Sequence, residues 1–249
     1  MNFRRLTSCL AVGSLLALAT APVLAENGKE PPGAPCDKGN GNPCNGNPGN
    51  SGQQGNGGGR GGHGGHPPTI DIPVAPVSGR GAFITQIGEA NRASAAQSGP
   101  NALVAIHQKG DRNRADVTQS GTRSDFADVV QLGDKNSAVA VQSGTGQNVL
   151  WVAQAGWRND VTAAQDSNGG FNGAILAQAG YGNQMRLTQD GGDNKAILTQ
   201  TGNDNAMSAT QNGDGNRLVW NQVGSGLRDL GIVQNGGQAI QITQTGTGR

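Results

Sequence analysis

The sequence predicts an all-β chain. Its main part is a β-solenoid of stacked strand–turn–strand rungs, with repeats of about 22 residues, preceded by a disordered segment rich in Gly, Asn and Pro. Three observations predict this. A Gln returns about every eleven residues over residues 80–249: Gln86, Gln97, Gln108, Gln119, Gln131, Gln142, Gln154, Gln165, Gln178, Gln189, Gln200, Gln211, Gln222, Gln234 and Gln244. Fourteen of these fifteen have Gly two places later, Gln165 with Ser167 being the exception. Ten have Asn six places earlier: Asn91, Asn113, Asn136, Asn148, Asn159, Asn172, Asn183, Asn194, Asn205 and Asn216. So regular a period sets the architecture before any single residue sets a chemistry.

Within one unit, counting by twos separates two faces. Asn194, Ala196, Leu198 and Gln200 share one side of an extended chain, and Lys195, Ile197 and Thr199 the other. A helix would need apolar residues three and four apart and would be interrupted by Gly at nearly every turn. The unit is therefore a strand of about seven residues. Between strands stand groups such as Gly110, Asp111, Arg112 and Asn113, or Gly213, Asp214, Gly215 and Asn216. Gly, Asn and Asp tolerate positive φ and close turns through their own side chains. Two strands and two turns make one rung, and rungs stack about 4.8 Å apart with like residue over like. Stacked amides bond one another along the axis, amyloid-like, which removes the cost of burying Asn and Gln.

The unit Asn-x-Ala-x-x-x-Gln-x-Gly-x-x-Asn resembles the curlin repeat of the curli-type functional amyloid subunits of bacterial biofilms. Asn136, Ala138, Gln142 and Gly144 match it, as do Asn194, Ala196, Gln200 and Gly202. The resemblance covers residues 80–249, taken as one repeat domain of about fifteen strands. It departs from the family in having about seven repeats instead of about five, and a longer N-terminal region. It also has Arg80, Ala102, Asp125, Arg228 and Gln238 where Asn is expected. The resemblance implies a secreted structural subunit that self-assembles into extracellular fibres for biofilm matrix, adhesion and aggregation, as main subunit, minor subunit or nucleator. The implied partners are further copies of the chain, another curlin-type subunit or nucleator, and the outer-membrane curli secretion channel with its accessory proteins. The Gln and Asn residues named above are the expected self-assembly ladder.

Taken in order, residues 1–25 read as an export signal. Arg4 and Arg5 precede an apolar run from Leu10 to Ala19, and Val23, Leu24 and Ala25 make a small-residue cleavage site. Removing Arg4 and Arg5 leaves 16 basic against 17 acidic residues, so neither nucleic acid nor an anionic membrane is an expected partner. Residues 26–79 lack the apolar residues of a core and read as a disordered secretion or spacer segment, with Pro67 to Val77 an extended lead into the first strand. In the curlin family such a segment is read by the secretion channel. Cys36 and Cys44 could close a small loop in an exported chain, and His63 and His66 are two imidazoles without a further ligand framework.

In the repeats, the stretch between Gln165 and Gln178 is two residues longer than the norm and predicts a larger turn. Arg228 stands where Asn is expected, and residues 225–228 read as another enlarged turn with the next strand beginning near Leu230. Trp220, on the inner face beside Leu218, predicts a local change in rung width.

No catalytic function, cofactor or metal site is expected. His107 is the only His in the repeats, it points outward, and no nucleophile elbow, phosphate loop or ligand spacing occurs. Calcium-binding nonapeptide repeats run on nine residues, not eleven. The alternative function is a soluble, capped β-solenoid that binds ice or a polysaccharide through its outer face. Outward Thr85, Thr118, Thr188, Thr199, Thr210 and Thr243 suggest it, but His107, Val130, Ala153 and Asn221 interrupt the array.

Overall fold

Alternating apolar and polar residues between Gly-rich turns give strands, and the computed structural model contains fifteen of them among the residues it describes, 70–73 and 79–247. All of these residues belong to one compact unit. The export signal, the larger part of the spacer segment, Cys36, Cys44, His63 and His66 lie outside the described residues.

The odd-numbered strands form one sheet, here sheet A: β1 (Gly81–Ile87), β3 (Leu103–Lys109), β5 (Phe126–Asp134), β7 (Gln147–Trp157), β9 (Phe171–Tyr181), β11 (Lys195–Asn203), β13 (Arg217–Ser225) and β15 (Ala239–Thr247). The even-numbered strands form sheet B: β2 (Arg92–Gln97), β4 (Arg114–Gln119), β6 (Ser137–Gly144), β8 (Asp160–Ser167), β10 (Gln184–Gly191), β12 (Ala206–Asn212) and β14 (Ile232–Asn235). Each strand pairs in parallel with the strands two before and two after it, as a solenoid requires. Gln stands over Gln throughout, for example Gln131 beside Gln154 and Gln165 beside Gln189.

The repeat is not uniformly 22 residues. Stacked Gln residues lie 22 apart from Gln86 to Gln108, 23 from Gln108 to Gln131, and 24 from Gln154 to Gln178. Extra residues leave the strand register intact because the corners absorb them. In the 24-residue rung the turn between β8 and β9 has grown, with Asn168 N donating to Gly191 O.

The core is the space between the two sheets. Val104, Ile106, Val129, Leu150, Leu176 and Leu198 of sheet A meet Ala115, Val117, Ala140, Val161, Ala163 and Leu187 of sheet B in one cluster. Trp220 is fully buried in it, and its indole N–H donates to Gln244 Oε1 at 3.1 Å. That bond satisfies the polar end of the indole in an otherwise apolar cluster.

One sequence expectation is corrected. Near residue 228 the slot of the Asn column is filled by Leu227, not Arg228. The Leu227 amide donates to Asn205 Oδ1, and its carbonyl accepts from Ala206 N. The strand then begins at Ile232 rather than near Leu230. Asp229 sets this corner: its Oδ1 accepts from Ser208 N and Gly231 N. The shift by one residue keeps a guanidinium out of the apolar interior, where it would be costly.

Candidate functional site: two amide ladders and the edges of the stack

Each Gln side chain leaves the end of its strand on the inner face, because it has the same parity as the apolar pair before it. In sheet A the Nε2 of Gln86 donates to Gln108 Oε1, Gln108 to Gln131, Gln131 to Gln154, and so on to Gln244, all at 2.7–2.9 Å. In sheet B the ladder runs from Gln97 through Gln119, Gln142, Gln165, Gln189 and Gln211 to Gln234 at 2.7–3.0 Å. Every bond points the same way, from an earlier rung to a later one. The second Nε2 proton crosses the rung to the opposite sheet. Gln142 Nε2 donates to Phe126 O at 2.9 Å and Gln154 Nε2 to Ser137 O at 2.9 Å. One side chain thus ties rung to rung and sheet to sheet.

The Asn side chains occupy the corners. Asn159 Nδ2 donates to Asn136 Oδ1 at 3.1 Å and to Gly180 O at 3.0 Å, while its own backbone N–H also donates to Asn136 Oδ1. Asn183 repeats the pattern with Asn159 and Gly202. The Gly two places after the sheet A Gln residues is therefore part of the same device, as Gly133, Gly156, Gly180 and Gly202 show. At Gly156 φ is +111°, and an added Cβ would sit 2.1 Å from the carbonyl oxygen of Gly180 that Asn159 binds. Sheet B carries Asn91, Asn113, Asn136, Asn159, Asn183 and Asn205; sheet A carries Asn148, Asn172, Asn194 and Asn216. The departures Arg80, Ala102, Asp125 and Gln238 all fall on sheet A. Asp125 substitutes for Asn in function, since its Oδ1 accepts from Asn148 N and Nδ2 at 3.0 and 3.1 Å. Its burial nevertheless raises its pKa, against the lowering effect of those bonds.

The ladders end at open edges. Among the described residues, no strand pairs with the outer side of β1 and β2, or with that of β14 and β15. Ile84 is 45% exposed, whereas Ile106, next in the same inner column, is 0% exposed. Gln86 is exposed and Gln108 buried. At the first edge, the Oε1 atoms of Gln86 and Gln97 are the unused acceptors of their ladders. At the other, Gln244 Nε2 donates to Arg228 O at 3.3 Å, with its second proton directed along the stack.

Sequence reasoning did not single out Asp128. It lies on the outer face of β5, between the positions of Ala105 on β3 and Trp151 on β7, and is only 9% exposed. Its Oδ1 has no hydrogen-bond partner, and burial pushes its pKa up to about 6 from 3.8. A carboxyl group raised in this way favours the fold while protonated. Stability is thus greatest below pH 4 and falls as pH rises to about 6, by about 3 kcal/mol in all. Asp128→Asn is expected to gain about 2–3 kcal/mol over the parent at pH 7 and almost nothing at pH 4, measured by urea unfolding of the unpolymerised chain. His107, also on the outer face, has its pKa lowered by burial. No group of three His, Cys, Asp or Glu side chains converges among the described residues.

Two parallel sheets wound rung upon rung, cored by apolar pairs and amide ladders, define a parallel β-solenoid. Residues 81–121 match the family model of the curlin associated repeat, and this stretch of the chain is similar to that repeat. No curated protein and no solved structure matched it. A curlin repeat suggests a curli-type structural subunit.

Proposed function

We propose that this chain is an exported subunit whose solenoids stack end to end into cross-β fibres at the bacterial cell surface, serving matrix, adhesion and aggregation. The carrying observation is the polarity of the Gln ladders. All bonds run from the β1 side to the β15 side, so one edge offers amide acceptors and the other an amide donor. Two copies placed head to tail bring Gln244 of one against Gln86 or Gln97 of the next, depending on whether like or unlike sheets meet, and continue its ladder. Gln234 Nε2, which donates to Arg217 O and Gln238 O, must give up the second of these bonds to reach the other. The contact also extends the backbone ladders and covers Ile84. Such a contact is heterologous and does not close, which is the condition for a filament. In this reading residues 1–25 direct export, residues 26–79 serve secretion through the outer-membrane channel, and residues 80–249 form the fibre. A second curlin-type chain acting as nucleator, or this chain acting as one, uses the same edges. The outward Thr residues make no continuous array: in sheet A, Thr85 and Thr199 are separated by His107, Val130, Ala153 and Ala177. The ice- or polysaccharide-binding alternative therefore has no observation in its favour.

Seeded growth followed with an amyloid-binding dye tests the reading. Wild-type chain is expected to show a lag that pre-formed seeds abolish. Gln244→Glu keeps an acceptor for Gln222 and Trp220 but loses its donors, and sets a carboxylate against the neighbouring copy's Gln acceptor. An unpaired acceptor costs about 1–3 kcal/mol, so seeded growth of this variant is expected to slow at least about tenfold. A wild-type chain that keeps its β-structure and never responds to seeds sinks the proposal.

A further inference from the structure

Sheet A has eight strands and sheet B seven, because the first and last of the fifteen strands both lie in sheet A. Even strands fall between odd ones in the winding, so β1 and β15 are half-rungs that project beyond sheet B at either end. Burial follows this. Ile84 on β1 is 45% exposed, and Ile240 and Ile242 on β15 are only partly buried, whereas Leu218 and Trp220 beside them on β13 are 0% exposed. The cross-rung bonds have the same sense. Along the chain a Gln Nε2 donates to a carbonyl near the start of the strand before it: Gln97 to Gly81 O at 3.0 Å, Gln108 to Arg92 O at 3.1 Å, and so on to Gln244 and Arg228 O. Among the described residues Gln86 has no such strand, and its Nε2 donates to Gln108 Oε1 alone.

We propose that consecutive subunits of the fibre are related by a half-turn about the stack axis, so that sheet A of one copy continues sheet B of the next. This deepens the end-to-end reading and rests on it. With like sheets aligned, β15 meets β1 of the next copy. On the other side, however, β14 and the next β2 then stand two strand spacings apart, about 9.6 Å, with an empty strand position between them. Every junction would carry a row of unpaired backbone N–H and C=O groups there, and Gln234 could not reach Gln97.

The half-turn removes the gap. β1 of the next copy takes the empty position beside β14 and lies across the core from β15, so that two half-rungs make one. β2 of the next copy then pairs with β15. Strand directions stay parallel, because the chain runs oppositely in the two sheets and the half-turn reverses it. Gln over Gln sets the register: Gln234 meets Gln86 and Ile232 meets Ile84, while Gln244 meets Gln97, with Ile240 and Ile242 beside Ala93 and Ala95. Since β14 has only four residues, β1 pairs with it over residues 84–87. Gln86 Nε2 gains its missing carbonyl at Ala239 O of the copy before, the place in β15 that Gly81 O holds in β1. Each subunit then adds seven and a half rungs, about 36 Å, and the ladders exchange sheets at every junction.

The test is disulfide trapping in fibres of the full-length chain with Cys9, Cys36 and Cys44 replaced by Ser. Two double variants are compared, Thr85→Cys/Val233→Cys and Thr85→Cys/Thr243→Cys. All three positions are exposed, and within one chain β1 lies at the opposite end of the stack from β14 and β15. Facing residues of paired strands are about 4.8 Å apart, within reach of a disulfide. The half-turn sets Thr85 beside Val233 of the copy before, and alignment of like sheets sets it beside Thr243. Fibres are grown reduced, then oxidised, dissolved in denaturant and resolved on a non-reducing gel. The first pair is expected to give about fivefold or more disulfide-linked multimers than the second. More multimers from the second pair overturn the half-turn and leave end-to-end stacking standing. Fibres in which the two pairs link equally, or in which neither links, also overturn it. A cysteine-free chain that keeps its β-structure and forms no fibres overturns both the half-turn and the stacking.

Discussion

Gln142→Glu is expected to be the most damaging single-atom-scale change in the protein. Gln142 is fully buried; it accepts from Gln119 Nε2 at 2.7 Å and donates to Gln165 Oε1 at 2.8 Å and Phe126 O at 2.9 Å. A carboxylate keeps the first bond and turns the other two into acceptor facing acceptor, without a cation nearby. Burying such a charge costs several kcal/mol, and each orphaned acceptor about 1–3 kcal/mol more. The sum is on the order of 5 kcal/mol or more at pH 7, comparable with the whole stability of many domains. The sign with pH follows from burial. The folded state favours the neutral acid, so the variant regains stability as pH falls and loses it as pH rises. Gln142→Leu is expected to lose on the order of 3–6 kcal/mol with little pH dependence, since it orphans the same three partners without adding charge. Urea unfolding followed by circular dichroism at pH 7 and pH 4 separates the two variants.

Gly156→Ala is the second large effect. The backbone there has φ +111°, and the new Cβ would stand 2.1 Å from Gly180 O, a backbone atom that cannot swing aside. Moving that carbonyl breaks its bond from Asn159 Nδ2 and spreads two rungs whose Gln residues are 2.9 Å apart. Gly169→Ala is the control, with φ +81° and nothing within 4 Å of its Cβ. Backbone strain alone is expected to cost about 1–2 kcal/mol at Gly169, and the clash at Gly156 to add about 2 kcal/mol or more to that strain. Equal losses at the two positions in thermal unfolding would contradict the close approach of stacked corners.

Where the chain is periodic, its structure was legible in the sequence. Period-two alternation put Ala196 and Leu198 inside and Lys195 and Ile197 outside, and the structure places them so. Stacking of like on like followed from the fixed offset of Gln from that pair, because a buried amide needs a partner and an identical amide supplies one. The irregular parts were less legible. A twelve-residue spacing between Gln222 and Gln234 does not reveal which residue is extra, and only the bonds of Leu227 and Asp229 locate it. The unequal outer faces were hidden because successive units alternate between sheets. Read in order, the outward residues look mixed; read every second unit, the largest apolar ones, Phe126, Trp151, Ile175 and Ile197, collect on sheet A, while sheet B carries a mix that includes Val139 and Val141. Ile70 and Ile72 carry no period, and only tertiary contact distinguishes them from the Pro-punctuated lead around them.

The amide ladders also explain why weak individual terms give a persistent structure. A cross-strand pair contributes only about 0.2–1 kcal/mol, but each rung adds backbone bonds, two Gln bonds and the corner amides together. These terms cooperate along the stack and would continue wherever another rung is added, so in the proposed assembly the open edges of the isolated chain are the points of growth.

The most direct measurement is an electron cryo-microscopy reconstruction of fibres grown from the full-length chain. The account predicts strands perpendicular to the fibre axis at about 4.8 Å, continuing unbroken from the β14/β15 edge of one subunit to the β1/β2 edge of the next, with the Gln columns uninterrupted across the junction. Subunits joined through the outer faces of their sheets, with the β1 and β15 edges left unpaired, would contradict it.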